Sequence, residues 1–211
     1  MTNTFAPFGL RHIGYADGSS PTFGYFTAKI LKTNTTKIFY GDPLVDAAGF
    51  VAQWTNASSA VNFRGVFYGC KYFSISQGKT VWSPFWPGNS DALADADAFI
   101  VPPQNRPRFL IQAGPSSSTN PITIASVGKN VDVNGMASAP GGQTFGGFLS
   151  GAFAVQTGTG APAATATFPF QIVDLWPTPG YPAVANGSDA TTAFNYIVVE
   201  PNWAAVSGVT V

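Results

Sequence analysis

The sequence predicts an all-β protein: a sandwich or barrel of short antiparallel strands, open to division into two β lobes, with an extended N-terminal arm and few short helices. Three observations carry that prediction. Short runs of β-branched and aromatic residues recur between turn residues, with no helix-sized alternation among them. The 23 Gly and 17 Pro leave little room for long helices. The chain is 45% hydrophobic and 14% aromatic, far too apolar for disorder.

Residues 1–20 read as an extended arm. Pro7 fixes its own φ and pushes Ala6 towards extended geometry. Gly9, Gly14 and Gly18 interrupt regular structure, and Asp17-Gly18-Ser19-Ser20-Pro21 is a turn cluster. With the rings of Phe5 and Phe8 and few charges, such an arm is expected to stay loose unless it docks on something.

Strands follow in turn-bounded order. Tyr25–Leu31 alternates apolar with small or charged residues, and Thr36–Tyr40 leads into the turn Gly41-Asp42-Pro43. Val61–Phe73 is the longest run, and its parity changes at Gly65 and beyond Gly69, which predicts bulges or a break. Thr80–Phe85 is stopped by Pro84 and Pro87, and Ala98–Val101 and Arg108–Gln112 flank a Pro102-Pro103 turn. Asn89-Ser90 could cap one or two helical turns over Asp91–Asp97. Residues 114–121 (GPSSSTNP) form the best linker, giving a first lobe over 21–113 and a second over 122–211, unless 21–211 is one domain. The span 135–166 is almost uncharged and weakly specifies its register. Thr165–Leu175 and Phe194–Glu200 close the fold.

Charge is the outstanding compositional feature. Only 9% of residues are charged, with ten cations balancing ten anions, against about 25% in ordinary soluble domains. A surface so poor in charge suits a protein that lies against other protein. The balance supplies no basic face for nucleic acid. No run of about 18 apolar residues exists to span a membrane. The opening MTNTFAPFGLRHIG lacks the pattern of a secretory leader, and the single cysteine, Cys70, fits folding in a reducing cytosol.

Catalytic chemistry has few residues to work with. A nucleophilic pair could come only from Cys70 and His12, and Cys70 reads more simply as a small buried hydrophobe. Asp174 and Glu200 end adjacent predicted strands and are the one carboxylate pair suggestive of glycoside chemistry. Asp91, Asp95 and Asp97 could offer oxygens to Ca²⁺ but lack the EF-hand pattern, and one Cys with one His cannot make a structural zinc site. The five tryptophans, Trp54, Trp82, Trp86, Trp176 and Trp203, could stack sugars but more often anchor cores and interfaces. The residues predict no enzyme, no metal and no cofactor.

Several blocks, in order, resemble a family of tailed-bacteriophage virion proteins that decorate or cement the head. They are the arm Asn3–Arg11, Arg64–Tyr72 (RGVFYGCKY), Val81–Gly88 (VWSPFWPG), Ala98–Val101, Arg108–Gln112, Gly128–Asp132, Pro169–Leu175 and Asn195–Val199. The chain departs from the family where His12 stands in place of a proline, where Pro102-Pro103 replaces an acidic pair, and in the tail Pro201–Val211. The resemblance implies a non-enzymatic capsid decoration protein, made in the host bacterial cytoplasm and carried on the capsid exterior of the virion. It implies the phage major capsid protein as partner and a homo-oligomer, most often a trimer. The expected contacts lie on the arm: Phe5, Pro7, Phe8 and Leu10 as apolar anchors and Arg11 as a charge-assisted donor. The alternative is a carbohydrate-binding or depolymerase module of a tail or fibre, resting on the tryptophans and on Asp174 and Glu200.

Overall fold

A computed structural model describes residues 2–21, 25–55, 59–115, 118–136, 149–177 and 187–207. In chain order the strands are β1 (Arg11–Tyr15), β2 (Phe26–Ile30), β3 (Pro43–Ala47), β4 (Phe50–Gln53), β5 (Phe63–Ser74), β6 (Lys79–Ser83), β7 (Ala96–Val101), β8 (Pro107–Gly114), β9 (Asn130–Val131), β10 (Val133–Asn134), β11 (Phe153–Val155), β12 (Phe170–Trp176) and β13 (Tyr196–Pro201). A single helical turn, α1 (Trp203–Val206), follows. Among the described residues no helix is long and apolar enough to cross a membrane.

The strands form two sheets, so the fold is all-β as the sequence predicts. The first runs β2-β7-β5-β3-β4, with β6 on the far half of β5. Its two ends, β2 and β4, approach each other, so the sheet curls towards a barrel. Inside lie Ile30, Ile38, Leu44, Phe67, Cys70, Tyr72 and Ile100, with the fully buried ring of Trp86 as the largest filler. The second sheet runs β10-β11-β8-β13-β12-β9, with β1 added beside β8. All its pairings are antiparallel except β11 on β8.

A second core joins the sheets. Phe63, Val66 and Val101, on the outside of the curled sheet, pack with Phe109, Ile111, Phe170, Ile172, Ile197 and Val199 of the other. Edge-on rings run across the join from Trp54 to Phe63 (6.2 Å) and Phe63 to Phe170 (5.2 Å). Such pairs contribute about 0.5–1.5 kcal/mol each beyond the area they bury.

The two glycines of β5 explain how one strand serves both cores. Register slips opposite β3 at Gly65 and opposite β7 beside Gly69, where φ is +148° and +133°. Those slips let Phe63, Val66 and Tyr68 face the shared core while Phe67, Cys70 and Tyr72 face the barrel. The bulges predicted from the parity changes are present.

Several expectations are corrected. Residues 91–97 form no helix. The Asp91 carboxylate instead accepts from Ser74 Oγ and the Ser76 N–H (2.6 and 2.8 Å), and Ala96 and Asp97 are drawn into β7 opposite Ile30 and Lys29. Thr36–Tyr40 is no strand and makes only single bridges, Ile38 to Trp86 and Tyr40 to Leu149. Between β7 and β8 the chain leaves the first sheet for the second at the turn Pro103–Asn105, and β8 pairs with β1 and β13. Residues 137–148, within the nearly uncharged span, lie outside the described residues.

The arm is extended, but it is not loose. Asn3 Nδ2 donates to the carbonyls of Asp189 and Ala193 (2.8 and 3.1 Å). Gln112 clamps the next residues, accepting from the Ala6 N–H and donating to the Thr4 carbonyl, both at 2.8 Å. The Gly9 N–H reaches the Ala152 carbonyl and the Leu10 N–H the Gly41 carbonyl. With φ +76° and no Cβ, Gly9 threads against Gly41 and Ser150 where any side chain would clash. Residues 3–10 therefore strap the second sheet to the first.

Candidate interaction surface

One face of the barrel wall stays uncovered. On β2, β7, β5 and β6 the residues Lys29, Asp97, Lys71 and Trp82 lie directly opposite one another as a single rung. The Asp97 carboxylate sits between the ammonium groups of Lys29 and Lys71, which hold its pKa below the usual carboxylate range. Lys71 Nζ also lies 5.4 Å over the Trp82 ring. Trp82 stacks flat on Phe99 at 5.3 Å and 6°. Gly69, paired opposite Phe99, puts no side chain between them.

This rung belongs to an apolar patch. Trp82 is 70% exposed and Phe73, two residues beyond Lys71 on the same face, is 40% exposed. Backbone hydrogen bonds fasten Leu93 to Phe73 (3.0 Å) and Ile75 to Asp91 (2.8 Å), bringing two more exposed aliphatic side chains to this end. A contiguous apolar patch on a soluble surface marks a site of contact, and tryptophan is over-represented among residues that dominate binding. Burying an exposed side chain of this size is worth about 1.5–3 kcal/mol.

The arm residues expected to contact a partner are mostly spent inside the chain. Leu10 is fully buried in the shared core, and Pro7 and Phe8 are buried as well. Phe8 packs edge-on against Tyr196 at 5.1 Å, and half-buried Phe5 lies between Phe153 and Phe194 at 5.4 and 5.5 Å. Only Arg11 is exposed, its guanidinium 4.8 Å over the Phe8 ring. Nothing in the arm's composition distinguishes docking on its own chain from docking on another; the buried clamp Gln112 decides it.

The residues considered for catalysis are dispersed. Cys70 lies in the barrel core, where burial pushes its thiol pKa up to about 12, and His12 lies on β1 against Tyr15 and Phe109. Burial lowers the His12 pKa against a smaller opposing hydrogen bond to Gly14. Asp91, Asp95 and Asp97 serve three different partners: Ser74 with Ser76, the Lys32 N–H, and the two lysines. Among the described residues no three His, Cys, Asp or Glu side chains gather as metal ligands do.

Asp174 and Glu200 do share the outer face of the second sheet, but in unlike surroundings. Glu200 is buried, ion-paired with Arg106 and with Arg108 at 3.6 Å. Asp174 lies in a shallow groove and is bonded through one oxygen to the Leu175 N–H at 2.8 Å. Of the tryptophans, Trp54 and Trp86 are core residues, whereas Trp82, Trp176 and Trp203 are exposed.

A different carboxylate is the most perturbed. Asp42, wholly buried at the start of β3, accepts from the Phe39 N–H (2.8 Å), Gln53 Nε2 (2.7 Å) and Ser150 Oγ. Burial raises its pKa to about 6 against the pull of those three bonds. It stands beside Gly41, where Leu10 of the strap is tied, so its role is architectural. The chain matches no known family model, no curated protein and no solved structure.

Proposed function

We propose that this chain is a non-enzymatic decoration protein of a tailed-bacteriophage head. In this reading it is made in the host bacterial cytoplasm, binds the outside of the major capsid shell as a homo-oligomer, most often a trimer, and stabilises the shell. The observation that carries the proposal is the uncovered face bearing Trp82, Phe99 and Phe73, in a chain of which 9% is charged. Desolvating unpaired charge is costly at an interface. On this face Asp97 is shared between Lys29 and Lys71, which leaves the rung with a single net positive charge to meet a partner. Weak apolar contacts of this sort add up when repeated around a closed assembly. The resemblance of the RGVFYGCKY and VWSPFWPG blocks to the decoration family points the same way, and both blocks contribute to this barrel wall.

In this reading the barrel face is the main docking surface, and of the five arm residues expected as contacts Arg11 is the exposed one. A depolymerase has less support, because Glu200 is buried between two arginines and leaves Asp174 without a second open carboxylate beside it. Co-sedimentation with undecorated heads tests the proposal. The chain should saturate the heads, and Trp82→Ala should weaken binding by about tenfold or more while the chain stays folded, its unfolding midpoint falling by no more than loss of one ring stack implies. Failure of the intact chain to bind heads, or unchanged affinity of Trp82→Ala, would overturn it.

A further inference from the structure

A groove of about 330 Å³ opens on the outer face of the second sheet, on the opposite side from the shared core. That volume is at the small end of the range for small-molecule sites. The groove crosses β1, β8, β13 and β12, with Val198 as its floor, β1 and the turn after it as one wall, and Trp176 on the other.

Two bulges shape it. Register slips between His12 and Gly14 on β1, and between Ile172 and Asp174 on β12. The slips bring Ile13 to one wall and set Val173 beside Asp174 on the other, so consecutive residues line the same groove. Bulges gather next to active and binding sites because they re-aim side chains in this way.

The lining offers an open donor, an open acceptor and an aromatic surface. Arg108 Nε is buried against Glu200 as an ion pair too long for a hydrogen bond, while the side chain as a whole is 36% exposed and lines the groove. Asp174 spends one oxygen on the Leu175 N–H and keeps the other open. Trp176 is 49% exposed at the edge, and Ser20 lies in the opposite wall. Arg106 and Arg108 against Glu200 and Asp174 sum to zero charge, so the site carries no net charge that would favour an ion of one sign.

We infer that this groove binds an uncharged saccharide. Neighbouring sugar hydroxyls each donate and accept, so one can give its proton to the open Asp174 oxygen while the next accepts from Arg108. The C–H face of the ring then has the exposed Trp176 surface to rest on. An anionic ligand would meet Asp174, and a cation would meet Arg108. Glu200 is held by its two arginines, so the site binds without cleaving. This site is separate from the barrel face, and it stands or falls independently of attachment to heads.

Saturation-transfer NMR on the full chain tests it, using methyl glycosides of glucose, galactose, mannose and N-acetylglucosamine, with maltose, cellobiose and lactose, at about 5 mM each. Methyl glucuronide serves as the charged probe. At least one neutral sugar should show transfer, with the glucuronide showing less. Asp174→Ala and Trp176→Ala should each weaken binding about tenfold or more, Trp176→Phe should retain part of it, and Trp82→Ala should leave it unchanged. The unfolding midpoint of each variant separates loss of the groove from loss of the fold. The inference is overturned if no neutral sugar binds, if glucuronide binds as well or better, if binding survives either alanine substitution in a folded variant, or if Trp82→Ala abolishes it.

Discussion

Replacing Asp42 by Asn should remove a pH dependence that the buried carboxylate imposes on the whole fold. The Asp42 pKa stands at about 6 in the fold, against 3.8 for the free side chain. Between those values the folded chain holds a proton that the unfolded chain has released, so stability falls as pH rises through the window. The gap corresponds to about 3 kcal/mol, at 1.36 kcal/mol for each pKa unit. Burial raises the Asp132 pKa too, which acts in the same sense, whereas the lowered His12 pKa makes stability fall as pH drops below 6.5. The difference between wild type and Asp42→Asn isolates the one group. In the variant the amide oxygen can still accept from Phe39 and Gln53, and its NH₂ can donate to Ser150 Oγ, so the packing survives. Urea unfolding midpoints taken from pH 4 to pH 7.5 should show wild type losing about 2 kcal/mol relative to the variant, the rest of the gap lying below pH 4 where the unfolded side chain begins to titrate. A difference that does not change with pH, or that grows in favour of wild type as pH rises, would refute the reasoning.

Other perturbations probe the strap, the bulge and the barrel core. Leu10→Ala should lower stability by about 2–5 kcal/mol in thermal or urea unfolding, because Leu10 is fully buried in the shared core; a change below about 0.5 kcal/mol would mean the arm is not docked. Gly65→Ala should cost about 3 kcal/mol or more, since at φ +148° a Cβ would overlap the Val101 carbonyl. Gly49→Ala, at φ +87° with open space around it, should cost about 1 kcal/mol; equal losses in the two would count against the bulge geometry. Cys70 should resist a thiol reagent at pH 8 until the chain unfolds, because it is buried and its pKa is pushed up to about 12; prompt labelling of the native protein would contradict its place in the barrel core.

Much of the sheet framework was legible in the residues because it follows from alternation and from glycine position. β5, with its slips at Gly65 and Gly69, and the closing pair β12 and β13 are of this kind. The β3–β4 hairpin was not legible: its turn is Ala48-Gly49, with φ +50° and +87°, and an alanine there lacks the usual Asn-Gly or Asp-Gly cue. β1 was hidden because Gly14 sits within a glycine-punctuated arm, and its pairing with β8 is a contact between residues nearly 100 apart in sequence. The apparent helix cap at 89–97 fails because Asp91 finds Ser74 and Ser76 across the β5–β6 hairpin, a partner that no local pattern shows. The same limit applies to the surfaces. Trp54, Trp82, Trp86 and Trp176 look equivalent in the sequence, yet two lie in cores, one on the barrel face and one at the groove, according to which side of a sheet is covered. Asp174 was visible as a strand-end acid, whereas its separation from Glu200 depends on Arg106 and Arg108 arriving from another strand and its turn.

The most direct test of the decoration reading is a cryo-EM map of the phage particle that carries this chain. The proposal predicts density for the two-sheet fold outside the shell, at local threefold positions, with the barrel face bearing Trp82, Phe99 and Phe73 turned onto a capsid subunit or a neighbouring copy. Density for the chain only at the tail, or on the shell with that face open to solvent, would contradict it.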